Sequence, residues 1–305
     1  NSEQFSEAFS EASGNTFYLG IGRPQPFATS TRADGRTNNE GTDSAPITPA
    51  DNVNAQTFPY DDLLAAKKIT TTDVTFAVPR RNWTTGTTYD IYRHDYGDRI
   101  TGTANNQTAN SGASTLHDAA FYVLTSERNV YKCLDNNNNA ASTVEPTTTP
   151  PSTIISTADG YRWKYMYTLT ASQQANFLST DFMAVATDSN VSANATAGAV
   201  NIVKIKTAGS GGTDGTHTGI AMRGDGSNGT VSVTVTSGAV TAVTVTNKGT
   251  GYTYATISNA QIVAAGATNL VGAELDCIIE PKGGHGFNAV EELGGFYVMM
   301  NTSLE

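Results

Sequence analysis

Apolar and polar residues alternate along most of this chain with the two-residue period of β-strands rather than the 3.6-residue period of helices. The clearest case is "TVSVTVTSGAVTAVTVTN" (230–247), where Ser237-Gly238 interrupts the alternation and predicts a hairpin turn. The segments "TFYLGIG", "DVTFAVPR", "TYDIYRHD", "FYVLTS", "NVYKCL", "YRWKYMYTL" and "FMAVA" are dense in aromatic and β-branched residues and read as strands. Helical spacing is confined to short pieces. Phe5, Ala8, Phe9 and Ala12 share a face in "SEQFSEAFSEA", with Gly14 ending that helix. "DDLLAAKK" carries acids at its start and lysines at its end, as a helix macrodipole favours. "SQQANFL" predicts a third helix with Ser172 as its N-cap. Residues 23–59 and 134–153 lose periodicity and fill with Pro, Asn and Thr, which makes both stretches loops.

The texture changes near residue 188. From there to 275 the chain is Val, Thr, Ala and Gly, with Tyr252 and Tyr254 its aromatic pair. "VKIKTAGSGGT" (203–213) and "VTVTNKGTGYT" (243–253) echo each other at a constant offset of 40, sharing Gly209/Gly249 and Gly211/Gly251. Two copies are too few for a solenoid and suggest two similar hairpin units. After 275 the earlier aromatic flavour returns. The expected fold class is α+β, predominantly antiparallel β. An outer α+β domain would comprise 1–187 plus 276–305, with 188–275 inserted as a small sandwich-like or barrel-like β domain.

Composition narrows the function classes. Charged residues make up 15% of the 305, and 28 acids against 18 bases give a net charge of −10. A nucleic-acid footprint needs a basic patch, and Arg80-Arg81 is only a pair. No apolar run approaches the roughly 20 residues that span a bilayer. Neither nucleic acid nor membrane is therefore an expected partner. The sequence carries no secretory signal at its start, and the expected site of synthesis is a cytoplasm. Cys133 and Cys277 sit in apolar, strand-like surroundings and read as small buried side chains, with a bridge between them as the alternative.

Candidate chemistry is sparse. His94, His117, His217 and His285 lie in no local nucleophile or metal signature, so no catalytic residue, metal or cofactor is expected. "HDYGD" (94–98) reads as a hydrated turn, "DNNNN" (135–139) lacks the spacing of a calcium loop, and "RGDG" (223–226) reads as a turn between strands. "PKGGHGFNAVEELGG" (281–295) resembles a phosphate loop but has neither GxxxxGK[ST] nor GxGxxG. Local rules explain it as structure: Gly283, Gly284 and Gly286 turn the chain and approach another backbone. Asn288 then caps a short helix, with Glu291 as the reciprocal partner, and Gly294 terminates it. On that reading Gly284→Val is damaging and His285→Ala is tolerated.

Five segments in order also carry a family resemblance: "FYLGIGRPQPF" (17–27), "VPRRNWTTGTTYDIY" (78–92), "FYVLTSERNVYKCLDNN" (121–137), "DGYRWKYMYTL" (159–169) and "GGHGFNAVEELGG" (283–295). Together they resemble the baseplate wedge proteins of T-even-type phages, the gene product eight family. The resemblance covers most of 16–187 and 276–300. It implies a non-enzymatic virion subunit: a homodimer in the tail baseplate, assembled in the host bacterial cytoplasm, touching other wedge subunits and taking part in the rearrangement that triggers sheath contraction. It implies no catalytic residues. Tyr161, Trp163, Tyr165 and Tyr167 are expected to supply core and some interface. Two alternatives stand beside it: a carbohydrate-binding or glycan-degrading tail-associated protein, suggested by the aromatic, acidic, β-rich make-up, and another virion connector.

Overall fold

A computed structural model describes Glu7 and residues 16–22, 41–42, 45–46, 63–96 and 109–303. The proposed N-terminal helix at 2–12 apart from Glu7, most of the 23–59 loop, and Asp98 lie outside those residues. The chain forms two compact units, Asn1–Thr75 with Val298–Glu305, and Phe76–Tyr297.

In the first unit, β1 (Phe17–Gly22) pairs antiparallel with β4 (Leu63–Ile69), in a register running from Phe17↔Ile69 to Gly22↔Leu63. Between them in sequence, β2 (Gly41–Thr42) pairs with β3 (Ala45–Pro46). The helix expected at "DDLLAAKK" is thus a strand over 63–69. Eight residues are too few for a stable isolated helix, whereas β1 offers a full ladder of backbone partners. Gly20 leaves room for Leu63, whose Cδ1 lies 3.3 Å from where a Cβ would stand.

The second unit is β-rich with short helices, an α+β chain dominated by antiparallel pairing. Its first layer has the order β6 (Tyr122–Leu124), β7 (Asn129–Asn136), β9 (Tyr161–Thr168), β8 (Ile155–Ser156). Beside it β5 (Val74–Pro79) pairs with β10 (Phe182–Ala184), Val78 opposite Met183. Helix α1 (Ala171–Phe177) starts two residues earlier than expected. Thr170, not Ser172, is its N-cap, because Thr170 and Gln173 cap each other reciprocally while Ser172 has only Ala175 three residues on. Helix α2 (Ser189–Ala193) begins at the Asp188 cap.

"TYDIYRHD" is not a strand of any sheet. Residues 89–93 are buried at every position instead of alternating. Asp90 draws the segment out of ladder geometry: its carboxylate accepts from Ser111 N at 2.8 Å, Ser111 Oγ and Ala120 N at 2.6 Å. Only isolated backbone bonds remain, such as Tyr92 N to Cys133 O at 2.8 Å.

Residues 202–278 build two sheets. One has the order β11 (Ile202–Ser210), β17 (Val271–Ile278), β16 (Ala255–Ile257), β13 (Arg223–Gly224). The other runs β12 (Gly215–Ala221), β14 (Thr230–Thr236), β15 (Ala239–Asn247). Helix α3 (Asn259–Ala264) lies against β12 and β17. Val231, Val233 and Val235 point into a core shared with Ile220, Ile257, Ile262 and Leu270, while Ser232 and Thr234 face outward. Burial of those valines, at roughly 25 cal/mol per Å² of apolar surface, is what holds the register. Ser237 and Gly238 have φ of 54° and 78°, as a type I′ turn requires, and both N–H groups donate to the Asp214 carboxylate at 3.0 and 2.8 Å. The echoed glycines share a conformation: φ is 69° and 63° at Gly209 and Gly249, 78° and 77° at Gly211 and Gly251. The repeats agree in backbone and differ in partner, since β11 pairs with β17 and β15 with β14. Helix α4 (Ala289–Glu292) and β18 (Tyr297–Met300) complete the described elements.

Candidate functional site

The candidate site starts from the register of β7 and β9. Cys133 faces Trp163, Asp135 faces Arg162, and Lys132 faces Lys164. Two lysines directly opposite on neighbouring strands repel each other, and both are buried, Lys132 at 0% exposure and Lys164 at 4%. The loop 281–295 supplies the remedy for one of them.

Lys132 Nζ pairs with the Glu292 carboxylate, donates to His285 Nδ1 at 2.9 Å, and lies 4.9 Å from the centroid of the Tyr92 ring. An ammonium has no acceptor capacity, so Nδ1 must accept and the His285 proton sits on Nε2. Burial, reinforced by the nearby lysines, pushes the His285 pKa well below its ordinary value, in keeping with a neutral ring. The ring stands edge-on to Tyr92 at 4.8 Å. Glu292 is further held by Gly286 N at 2.9 Å and Asn288 N at 3.1 Å. His285 N donates to Glu280 Oε2 at 3.0 Å, and Asn201 donates to the other oxygen. Burial raises the Glu280 pKa, a shift opposed by its hydrogen bonds to His285 and Asn201 and by the charges of Lys132 and Lys248.

The turn residues lie where this network needs them. Gly283, Gly284 and Gly286 have φ of 84°, 97° and 88°. At Gly284 a Cβ would stand 2.6 Å from both N and O of Thr196, so only glycine lets the two backbones meet. Asn288 Oδ1 accepts from Glu291 N at 3.2 Å and caps α4; Gly294, with φ 76°, follows its end. The reciprocal half of the cap is not made by Glu291. Asn288 N donates to Glu292 instead, because that carboxylate is drawn inward by Lys132. His285 is 5% exposed and bonded to a buried ammonium, a packing and polar role that nothing near it in sequence indicates.

The four aromatics of β9 are core. Tyr161, Trp163, Tyr165 and Tyr167 are 0–6% exposed, with Tyr161 stacked on Trp163 at 5.3 Å. Their rings are covered by the chain itself, so they offer no side-chain surface to a partner. Cys133 and Cys277 are free, buried thiols, and burial pushes Cys277 up to about 12.

The other sequence motifs resolve into structure. His94 Nδ1 accepts from Ile279 N at 3.1 Å, and Asp95 pairs with Arg93 at 2.7 Å. Asp135 is held by Lys204 at 2.8 Å, and Asn137, Asn138 and Asn139 all turn with positive φ. Asp225 accepts from Thr253 N at 2.9 Å and Tyr254 N at 3.2 Å. Among the described residues no group of three or more His, Cys, Asp or Glu is placed to hold a metal ion, and no helix is long and apolar enough to cross a membrane.

Sequence reasoning missed Lys132, Glu292 and Glu280. Their signal was a lysine inside the otherwise apolar run "NVYKCL", matched by Lys164 inside "YRWKYMYTL": a charge in a buried strand demands a counter-charge from elsewhere. No protein-family model matches the chain, and no curated protein matches it.

Proposed function

We propose that the chain is a structural, non-enzymatic subunit of a contractile-tail phage baseplate wedge, working as a homodimer among other wedge proteins in the virion. The observation that carries this reading is the apolar surface of the first unit. Tyr18 and Leu64 on the described β1–β4 ribbon are 65% and 64% exposed, and Met300 of β18 is 53% exposed. Two strands by themselves are marginal in water, and exposed apolar side chains are candidates for surfaces that partners cover. Further support comes from four of the five family-like segments. Tyr92, Lys132, Lys164 and His285, one from each, meet around the buried network, so those segments hold geometry together rather than expose reactive groups. The finer architecture, an outer domain from both chain ends with 188–275 inserted, belongs to the same proposal. The shared core of the 202–278 sheets supports it.

The carbohydrate alternative would draw on a cleft of about 650 Å³ bordered by Tyr92, Tyr252, Glu280, Glu291 and Glu292. Tyr92 and Tyr252 are each 3% exposed, and Glu280 and Glu292 are engaged by internal donors, which favours the wedge reading.

The test is a Tyr18→Lys/Leu64→Lys double variant produced alongside the remaining virion proteins. It should fold normally yet fail to enter purified particles that incorporate the unaltered chain. An unaltered chain that stays monomeric and is missing from purified contractile-tailed particles would sink the proposal.

A further inference from the structure

Glu292 neutralises Lys132 but leaves Lys164 unanswered. Lys164 Nζ donates to Pro151 O at 2.6 Å, and among the described residues it has no carboxylate within ion-pair distance. Beside it, two positions along the same face of β9, Arg162 donates among the described residues only to Asn201 O at 3.3 Å. Lys248 reaches in from the end of β15 and donates to Thr196 Oγ1 at 2.9 Å, again without a carboxylate partner. All three cations line one cleft of about 330 Å³, bordered also by Ser152, Thr153 and Glu280. In a chain of net charge −10 such a gathering is against the average.

The local balance is positive. Lys132 and Glu292 cancel, and Asp135, which faces Arg162 across the strands, is already paired with Lys204. The one carboxylate left in the cleft, Glu280, accepts from Asn201 and from His285 N, and its single negative charge is outnumbered by the three cations. His285 is neutral. Burying a cation without a counter-charge is costly, and here buried Lys164 is joined by half-buried Arg162 and Lys248 with donors unspent: Lys164 uses one of its three N–H groups and Arg162 one of five. We propose that this cleft binds one small oxoanion, a phosphate or a carboxylate group, held by Lys164, Arg162 and Lys248. Its volume is at the small end of ligand sites, sufficient for one such group. The electrostatics of the cleft agree: burial lowers the pKa of Lys164, the Glu280 charge opposes that shift, and Lys248 and Lys132 add to it, so a bound anion would relieve the lysine. The inference stands independently of the wedge assignment.

The full chain is titrated with inorganic phosphate and, separately, with glutarate, at ionic strength held constant with chloride. Melting is followed by tryptophan fluorescence and binding by calorimetry. One anion or both should bind saturably at one site and raise the melting temperature, the tighter of the two identifying the source of the group. Lys164→Met and Lys248→Met should each weaken binding by about tenfold or more, the loss expected from one hydrogen bond to a charged group. Lys206→Met, on an exposed residue paired with Glu274 at 3.2 Å, should leave it unchanged. Lys164→Met should also melt higher than the unaltered chain when no anion is added, since it removes the Lys132–Lys164 repulsion; Lys248 is partly exposed and tests the site where core effects are smallest. Absence of saturable binding by either anion up to roughly 20 mM, well beyond a millimolar Kd, overturns the proposal. Equal weakening by Lys206→Met, which would mark diffuse charge screening, overturns it as well.

Discussion

Glu292→Gln and Lys132→Met remove opposite halves of one buried ion pair, yet they should not cost the same. Glu292→Gln keeps the shape of the side chain and leaves the Lys132 ammonium at 0% exposure, with a neutral imidazole and an aromatic face as its remaining company. Stranding a buried charge costs about 3–5 kcal/mol. Lys132→Met strands a carboxylate that still accepts from Gly286 N and Asn288 N. Hydrogen bonds to a charged group are each worth about 1.5–3 kcal/mol, so the loss should sit at or below the low end of that range for a broken pair. The double variant should recover much of the difference, with a coupling of at least about 2 kcal/mol. Trp83 and Trp163 are the chain's two tryptophans and both lie in the second unit, so urea unfolding followed by tryptophan fluorescence isolates the unit concerned. With a slope of about 3 kcal/mol per M, Glu292→Gln should lower the midpoint by at least about 1 M. A larger cost for Lys132→Met, or a double variant equal to the sum of the singles, would refute the coupled-pair argument.

Two further outcomes follow from the same geometry. Gly284→Ala, with its Cβ 2.6 Å from the Thr196 backbone, should cost more than about 3 kcal/mol or prevent folding, while Gly86→Ala, at φ 84° with nothing within 4 Å, should cost about 1 kcal/mol; His285→Ala should fall between them at about 2–3 kcal/mol, all read by the same urea assay. Asp225 is held at about 2 rather than 3.8 by its hydrogen bonds to Thr253, and a depressed carboxyl stabilises the fold above its unfolded pKa and is lost as pH falls through the folded one. Acid titration of Asp225→Asn should therefore show a smaller stability loss between about pH 4 and pH 2 than the unaltered chain, and an identical acid limb would remove Asp225 from the account.

Much of the fold was legible because burial imposes a period. Val231, Val233 and Val235 announce their strand by alternating with Ser and Thr, and the Ser237-Gly238 turn by its demand for positive φ. The cap at Asn288 and the turn at Gly284 were legible for the same local reason. Legibility failed where a segment's partner decides its conformation. "DDLLAAKK" has helical composition and charge order, but β1 offers it a ladder. "TYDIYRHD" alternates acceptably, but Asp90 gathers three donors from 111–120 and pulls it out of any sheet. At the candidate site, the contact of His285 with Lys132 was not legible because nothing near it in sequence reveals a lysine 153 positions away.

The sequence by itself determined the β-rich class, the Ser237-Gly238 turn, the Asn288 cap and the scarcity of catalytic signatures, since each follows from local periodicity, backbone stereochemistry or composition. Only the tertiary structure decided which charges are spent. Whether a buried lysine is neutralised depends on what the register sets opposite it and on what a distant loop delivers. The β7–β9 register places Lys132 against Lys164, and the glycine-bent loop at 283–286 brings a carboxylate to one of them and not the other. Electrostatic partnership acts through space over a few ångströms, and sequence order does not encode that distance.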